Sequence, residues 1–256
     1  MLEVIERDAV HTEFIMRSSI EMEISFTWGS IQELISTQWK GNKVIGFIDS
    51  KVYESCDSWQ ALEKNHENLL FIPTNLVEST KQVESLLACL ERIESSGFSR
   101  RDDILLAIGG GVLMDLVSLA ANLYRRGVSV VKVPTTLLGF VDASIGIKTG
   151  VNFKGQRNRL GTYYLNYDVI YDRSLLGTLN SQLIREGLGE IFKIAIIKSK
   201  ALFELLEENV DRIMDPKFYQ TDEGARIIGL SVQLMLEELH SNPTETNLKR
   251  CVDFGH

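Results

Sequence analysis

The chain has 256 residues, 44% of them apolar, with 27 lysines and arginines against 35 aspartates and glutamates for a net charge of −8. That length suits one large or two small domains, and an acidic balance without a basic stripe argues against nucleic acid as the main partner. No apolar run approaches the roughly 18 residues that span a bilayer.

The N-terminus lacks the apolar stretch of a signal peptide. Cys56, Cys89 and Cys251 are odd in number, widely spaced and free of any C-x-x-C pattern, so neither a disulfide framework nor a thiolate zinc site is implied. A reducing cytoplasm, no membrane and a small anionic partner are the expectations.

The first twenty residues carry no clear signal. Residues 21–28 (EMEISFTW) alternate like a strand, and 43–49 (KVIGFID) form a short apolar run ending in an acid, as a buried parallel strand does. Residues 68–73 (NLLFIP) repeat that pattern, and the spacing of Trp59 and Leu62 predicts a helix within 53–66. Residues 81–95 read as an amphipathic helix with Val83, Leu86, Leu87, Leu90 and Ile93 on one stripe, closed by Gly97.

Next comes an apolar strand, 104–108, ending in Gly109, Gly110 and Gly111, which open a helix over 112–124. A glycine turn at a helix N-terminus presents backbone N–H groups and the positive end of the helix dipole to a phosphate or pyrophosphate. By itself it also serves merely to turn a corner, and the spacing departs from G-x-G-x-x-G. After a further strand the chain reads as a long loop in which Asp142, Lys148, Asn152, Arg157 and Asn158 fall within seventeen positions.

Strand and helix alternating in this way predict a parallel α/β sheet whose crevice lies at the carboxyl ends of the strands, near Asp49, Glu78, Lys81 and the glycines. A last strand at 168–172 precedes helices at 181–199, 201–210 and 225–239, with Asn180 or Ser181 as the first N-cap. The expected architecture is an α/β N-terminal parallel-sheet domain, 1–179, whose crevice suits a dinucleotide, followed by an all-helical domain, 180–256.

Glu190 and Lys193 lie three apart on a helix that is apolar nearly all round, and a buried pair of this kind needs partners. His240 reads as a solvated helix residue, and Tyr163, Tyr164 and the scattered phenylalanines read as core.

Taken together, AIGGGVLMD, YRRG, VPTTLLGFVDASIGIKTGVN, RNRLG, GEIFK and VDFGH resemble the sugar phosphate cyclase superfamily, to which 3-dehydroquinate synthase belongs. The similarity runs from about Ile45 to His256, with the motifs in the family's order.

The resemblance implies bound NAD and a divalent metal, zinc or cobalt, with a sugar phosphate as substrate and a homodimer as assembly. The implied chemistry is transient oxidation of a hydroxyl, elimination of phosphate β to the new ketone, return of the hydride, and an intramolecular aldol closure. A ketone acidifies its neighbour where an alcohol does not, and a metal holding vicinal oxygens assists.

Carried over by motif, the cofactor residues are Asp49, Glu78, Lys81, Gly109, Gly110, Gly111, Asp115, Thr135, Thr136, Arg157 and Thr178. Arg126 of YRRG is expected at the substrate phosphate. Asp142, Lys148, Asn158 and Lys193, with Lys249 and Asp253, are expected on the substrate, and Glu190 and His256 on the metal.

Met235 stands where dehydroquinate synthases carry a lysine, Asp253 where they carry an asparagine, and Ser144-Ile145-Gly146-Ile147 where they carry serine and two glycines. Loss of a cation and gain of an acid suit a substrate without a carboxylate. The pattern looks like the 2-epi-5-epi-valiolone synthase branch, which cyclises sedoheptulose 7-phosphate, with 3-dehydroquinate synthase as the alternative. A metal-dependent alcohol dehydrogenase of the same fold and a catalytically dead NAD-binding remnant or scaffold are further alternatives. The family carries a second histidine and a third metal ligand beyond the FGH histidine. The chain as given, ending at that histidine, is therefore expected to be truncated and to have little or no cyclase activity alone.

Overall fold

A computed structural model of the protein describes residues 2–6, 12–16, 24–240, 242 and 244. Strands β1 (Leu2–Glu6) and β2 (Thr12–Met16) pair antiparallel in a stretch where the sequence showed no pattern. Then follow β3 (Phe26–Trp28), α1 (Ile31–Thr37), β4 (Val44–Asp49), α2 (Ser50–Glu54), α3 (Asp57–Asn65) and β5 (Leu69–Thr74). Next are α4 (Val83–Ser95), β6 (Ile104–Gly109), α5 (Gly111–Leu123) and β7 (Val130–Pro134).

The six-stranded sheet has the order β3-β10-β7-β6-β4-β5, where β10 is Tyr167–Tyr171, and every pairing in it is parallel. The inner strands β4, β6, β7 and β10 are near-continuous buried runs because both faces are covered, whereas the edge strands β3 and β5 are partly exposed. Ile45, Phe47, Leu105, Ala107, Val130 and Val169 face the larger core with α4 and α5. Val44, Ile48, Leu106, Ile108, Val131 and Val133 face a second core with Ile31, Ile35, Trp59 and Leu62 of α1 and α3. Alternation along each strand thus sends neighbouring residues to opposite layers.

The chain runs outward from β4 to β5 and then returns to β4's other side as β6. The direction of winding therefore switches between β4 and β6, the place where such sheets open a binding crevice. Asp49 and Gly109 end those two strands.

Within the sheet and its connections, the structure differs from the sequence expectations in these places. The stretch after β7 is not a loop: a π-helical turn (Gly139–Ala143) leads into an antiparallel hairpin of β8 (Lys148–Phe153) and β9 (Gln156–Tyr163). Its turn holds Lys154 at φ 49° and Gly155 at φ 75°, the left-handed pair that tight hairpins favour. On α4, Leu87 is 52% exposed, and Cys89 joins Leu86 and Ile93 on the buried stripe instead. Tyr163, Phe153 and Phe203 are exposed, whereas Tyr164 is buried and donates its hydroxyl to the Val128 carbonyl. Of the strand expected at 21–28, residues 26–28 are extended and paired, and 21–23 lie outside the described residues.

Beyond the sheet come α6 (Ser181–Lys198), α7 (Lys200–Glu208) and α8 (Asp222–His240). Asn180 caps α6 by accepting from the N–H groups of Gln182 and Leu183, each at 3.0 Å. Ile184, Ile191, Ile227 and Met235 belong to the same continuous core as the inner sheet face, while Ile196 is exposed, so α6 is not buried all round. Gly187 lets α6 sit directly on the segment after β7: a Cβ there would lie 2.5 Å from Leu137 Cβ. α8 ends in His240, which is exposed as expected.

Candidate functional site

The carboxyl ends of the strands fall in one row, because Asp49 pairs with Thr74 and Gly109 with Pro134. Gly109 is the last residue of β6, Gly110 is the N-cap of α5, and Gly111 is its first residue. Gly110 offers no side-chain oxygen, so the first-turn N–H groups of a 13-residue helix have no side-chain cap. That is the donor set a phosphate would satisfy. Gly111 also has a packing reason, since a Cβ on it would meet Ala143 Cβ at 3.0 Å.

One helical turn further along α5, Asp115 receives Lys81 Nζ at 2.5 Å, and the same ammonium donates to Asn158 Oδ1 at 2.7 Å. Lys81 is almost fully buried. Burial pushes the Asp115 carboxyl upward, and the adjacent Lys81 ammonium opposes that shift. Asn158 holds a φ of 48°, tolerable for asparagine, and its N–H donates to Asn152 Oδ1 at 2.8 Å. Asn152 Nδ2 in turn donates to Glu78 Oε1 at 2.9 Å. Arg157 Nε stands 3.7 Å from that same Glu78 oxygen, although its side chain is largely exposed. Glu78, Gln82, Asn152, Lys154, Gly155 and Arg157 border a cavity of about 520 Å³ beside the hairpin's turn.

The other expected site residues make contacts of their own. Asp49 caps α2 by accepting from the Lys51 N–H at 2.9 Å. The Thr135 N–H donates to the Gly109 carbonyl at 3.0 Å, and Thr136 Oγ1 accepts from the Gly139 N–H at 3.0 Å. Thr178 closes the 3-10 segment Arg173–Thr178. Asp142 lies in the π-helical turn, a geometry frequent at functional sites, and Lys148 opens β8 with an exposed side chain. Arg126 is exposed with φ 68° in the turn that ends at Gly127.

On α6, Lys193 Nζ meets Glu190 Oε1 at 2.6 Å, with both side chains nine-tenths buried. The contact is an ion pair, and this Glu190 oxygen has no hydrogen bond among the described residues. A buried carboxylate in that state is the kind of donor a metal ion would take in exchange for the lysine ammonium. Among the described residues no three His, Cys, Asp or Glu side chains come together to hold a metal ion. His256, Asp253 and Lys249 lie outside the described residues.

The sequence reading passed over Lys132. It interrupts the apolar strand β7, is 1% exposed, and lies with its ammonium 3.6 Å from the centroid of the Tyr167 ring. Burial lowers its pKa to about 8, with Asp115 pulling the other way. A single lysine inside VVKVP was the available signal. A second cavity of about 600 Å³, bordered by Ile24, Leu165, Leu236 and Leu239, is apolar and holds none of the expected site residues. No helix among the described residues is long and apolar enough to cross a membrane.

Two family descriptions match the chain: 3-dehydroquinate synthase N-terminal over residues 71–186 and 3-dehydroquinate synthase C-terminal over 187–256. A 2-epi-5-epi-valiolone synthase from Streptomyces albus is 47% identical over 184 residues, covering 70% of this chain and 45% of that protein. A 3-dehydroquinate synthase from Saccharolobus solfataricus is 35% identical over 196 residues, covering 76% of this chain and 54% of that protein. The chain thus spans about half the length of the curated relatives it matches. Among solved structures, the 2-epi-5-epi-valiolone synthase ValA from Streptomyces hygroscopicus subsp. jinggangensis, with NAD+ and Zn2+ bound, superposes with a TM-score of 0.86. That match is at 34% identity and covers 94% of this chain and 68% of that one.

Proposed function

This chain belongs to the 3-dehydroquinate synthase family, and we propose on that footing that it carries the cofactor half and part of the substrate site of a sugar phosphate cyclase. The reaction is the conversion of sedoheptulose 7-phosphate to 2-epi-5-epi-valiolone by transient oxidation, phosphate elimination, reduction and aldol closure. The observation that carries this reading is the convergence of Lys81, Asp115 and Asn158 beside the glycine N-terminus of α5.

When bound, NAD would supply a temporary hydride acceptor, and a divalent metal such as zinc would supply a Lewis acid. The amides at Gly109, Gly110 and Gly111 suit the pyrophosphate. Asp49 and Glu78 suit ribose hydroxyls, and Thr135, Thr136, Arg157 and Thr178 complete the cofactor's surroundings. Lys81 opposes the effect of burial on the Asp115 carboxyl and holds the Asn158 amide oxygen beside it.

Asp142, Lys148, Lys193, Lys249 and Asp253 would bind the sugar's oxygens, and Arg126 its phosphate. Glu190 and His256 would contribute a carboxylate and an imidazole to the metal. In this reading residues 1–179 form the cofactor domain, 180–256 belong to a helical metal and substrate domain, and the protein works as a cytoplasmic homodimer.

Dehydroquinate synthase is the rival within the family. Met235 is 3% exposed in the core of α8, at the position where the rival's pattern has a lysine, which removes a cation suited to a substrate carboxylate.

The test is calorimetric titration of the chain with NAD, then with sedoheptulose 7-phosphate and with the seven-carbon acid phosphate, in the presence of zinc. Phosphate release is followed in parallel. Saturable NAD binding with preference for sedoheptulose 7-phosphate supports the reading. Preference for the acid phosphate favours the rival, and absence of NAD binding overturns both.

A further inference from the structure

Between Asp142 and Lys148 the chain is anchored residue by residue, three times to side chains of β7 and β10 and once to the backbone just after β9. Ser144 Oγ pairs with the Tyr171 hydroxyl at 3.1 Å, and the Ile145 carbonyl accepts from the Tyr167 hydroxyl at 2.7 Å. The Gly146 carbonyl accepts from Lys132 Nζ at 2.9 Å, and the Ile147 carbonyl accepts from the Tyr164 N–H at 2.7 Å. Lys132 and Tyr167 also hold each other, ammonium over ring, so the two central anchors act as one unit.

Of the four, only Lys132 carries a charge. Removing a lysine from a buried strand in favour of an apolar residue ordinarily stabilises a core, because a buried ammonium costs more than its contacts return. Its placement here is better explained by what it holds.

We infer that Lys132 is a positioning residue: together with Tyr167 it fixes the Ile145–Gly146 carbonyls and so sets the spacing between Asp142 in the π-helical turn and Lys148 at the start of β8. The consequence for a bound sugar phosphate rests on the function proposed above, whereas the anchoring itself does not. Asp115 on α5 is the charged group that faces Lys132, and Lys81 already engages it, so the Lys132 ammonium remains available to the Gly146 carbonyl.

The experiment uses the full chain and two variants, Lys132→Met, which keeps the apolar stem in the core, and Tyr167→Phe, which keeps the ring. Hydrogen–deuterium exchange is followed over 142–149, and affinities are measured for NAD and for sedoheptulose 7-phosphate. Each variant is expected to raise exchange locally at 144–148 while β4, β5 and α4 stay protected. Sugar phosphate affinity should fall about tenfold, the scale of a lost hydrogen bond to a charged group. NAD affinity should stay within about threefold, a split that general destabilisation does not produce.

Unchanged exchange at 144–148 in both variants overturns the inference. So does a rise spread evenly over the sheet, or loosening without loss of sugar phosphate affinity. If the unaltered chain binds NAD but no sugar phosphate, the proposed function fails instead, and the exchange comparison still decides whether Lys132 anchors the segment.

Discussion

Lys81 and Asp115, 34 residues apart, meet with Nζ 2.5 Å from Oδ2. The pair joins the entry of α4 to the second turn of α5, and its second bond, to Asn158, brings in β9. One buried ammonium thereby ties two helices and a hairpin together at the mouth of the crevice.

Replacing Lys81 with methionine should therefore do two things. It leaves Asp115 without its counter-charge, for which a loss of about 2 kcal/mol or more is expected in urea unfolding. It also frees Asn158, so NAD affinity measured by calorimetry should fall. Asp115→Asn should lose stability on a similar scale, because the almost fully buried Lys81 ammonium is left without a carboxylate. It keeps the Lys81–Asn158 bond, however, and with it more of the NAD affinity. Equal losses of NAD affinity for the two variants would contradict this account.

Glu190→Gln keeps the side chain's shape but removes the charge beside Lys193. Zinc retained after dialysis, measured by atomic emission, is expected to drop. Stability should fall by about 2 kcal/mol because a nine-tenths buried ammonium loses its carboxylate. Full zinc retention in the variant would remove Glu190 from the ligand set.

Gly187→Ala places a Cβ 2.5 Å from Leu137 Cβ and 2.8 Å from the Leu138 nitrogen. The helix must move off the segment after β7, at a cost of about 1–3 kcal/mol. Since α6 carries Glu190 and Lys193, zinc affinity should fall along with the thermal midpoint. Gly189, whose added Cβ would meet nothing within 4 Å, is the control, and Gly189→Ala should leave both unchanged.

The pH dependence follows from Lys132 and Cys89. The Lys132 pKa is lowered to about 8 in the fold, so above that pH the folded chain releases a proton that the unfolded chain keeps. Stability should then rise, by about 1 kcal/mol between pH 8 and 9. Cys89 works in the opposite sense: burial raises its thiol to about 12, so above pH 9 the unfolded chain ionises while the folded one does not, and stability declines. Urea midpoints across pH 7.5–10 should pass through a maximum, and Lys132→Met should abolish the rising limb.

Much of the sheet was readable because β4 and β6 are uninterrupted apolar runs, and burial on both faces leaves no other use for such runs. The edge strand β5 is as apolar, although it leaves Leu70 43% exposed. The hairpin was not, because β9 exposes nearly every residue of QRNRLGTY and pairs only with β8, leaving no burial pattern to detect. Its usable signal was the Lys154-Gly155 pair at the turn. Leu87 and Cys89 exchanged roles because the apparent stripe on α4 ranked leucine above cysteine, whereas the helix's rotation on the sheet decides which one is covered. The Glu190–Lys193 contact was legible from spacing alone. The Lys81–Asp115–Asn158 convergence was not, since hydrogen bonds between residues 34 and 77 positions apart have no local trace.

β3 lies at one edge of the sheet, and among the described residues its only neighbour there is β10, through Phe26↔Val169 and Trp28↔Tyr171. On a ribosome, β3 emerges some 140 residues before its partner strand exists. This edge can form only once β10 has been made, and contacts of such long sequence separation slow folding. Until then Trp28, which is 45% exposed even in the fold, lacks the Tyr171 ring that later lies 5.0 Å away. Trp28→Phe should therefore remove the part of the refolding fluorescence change that reports this docking.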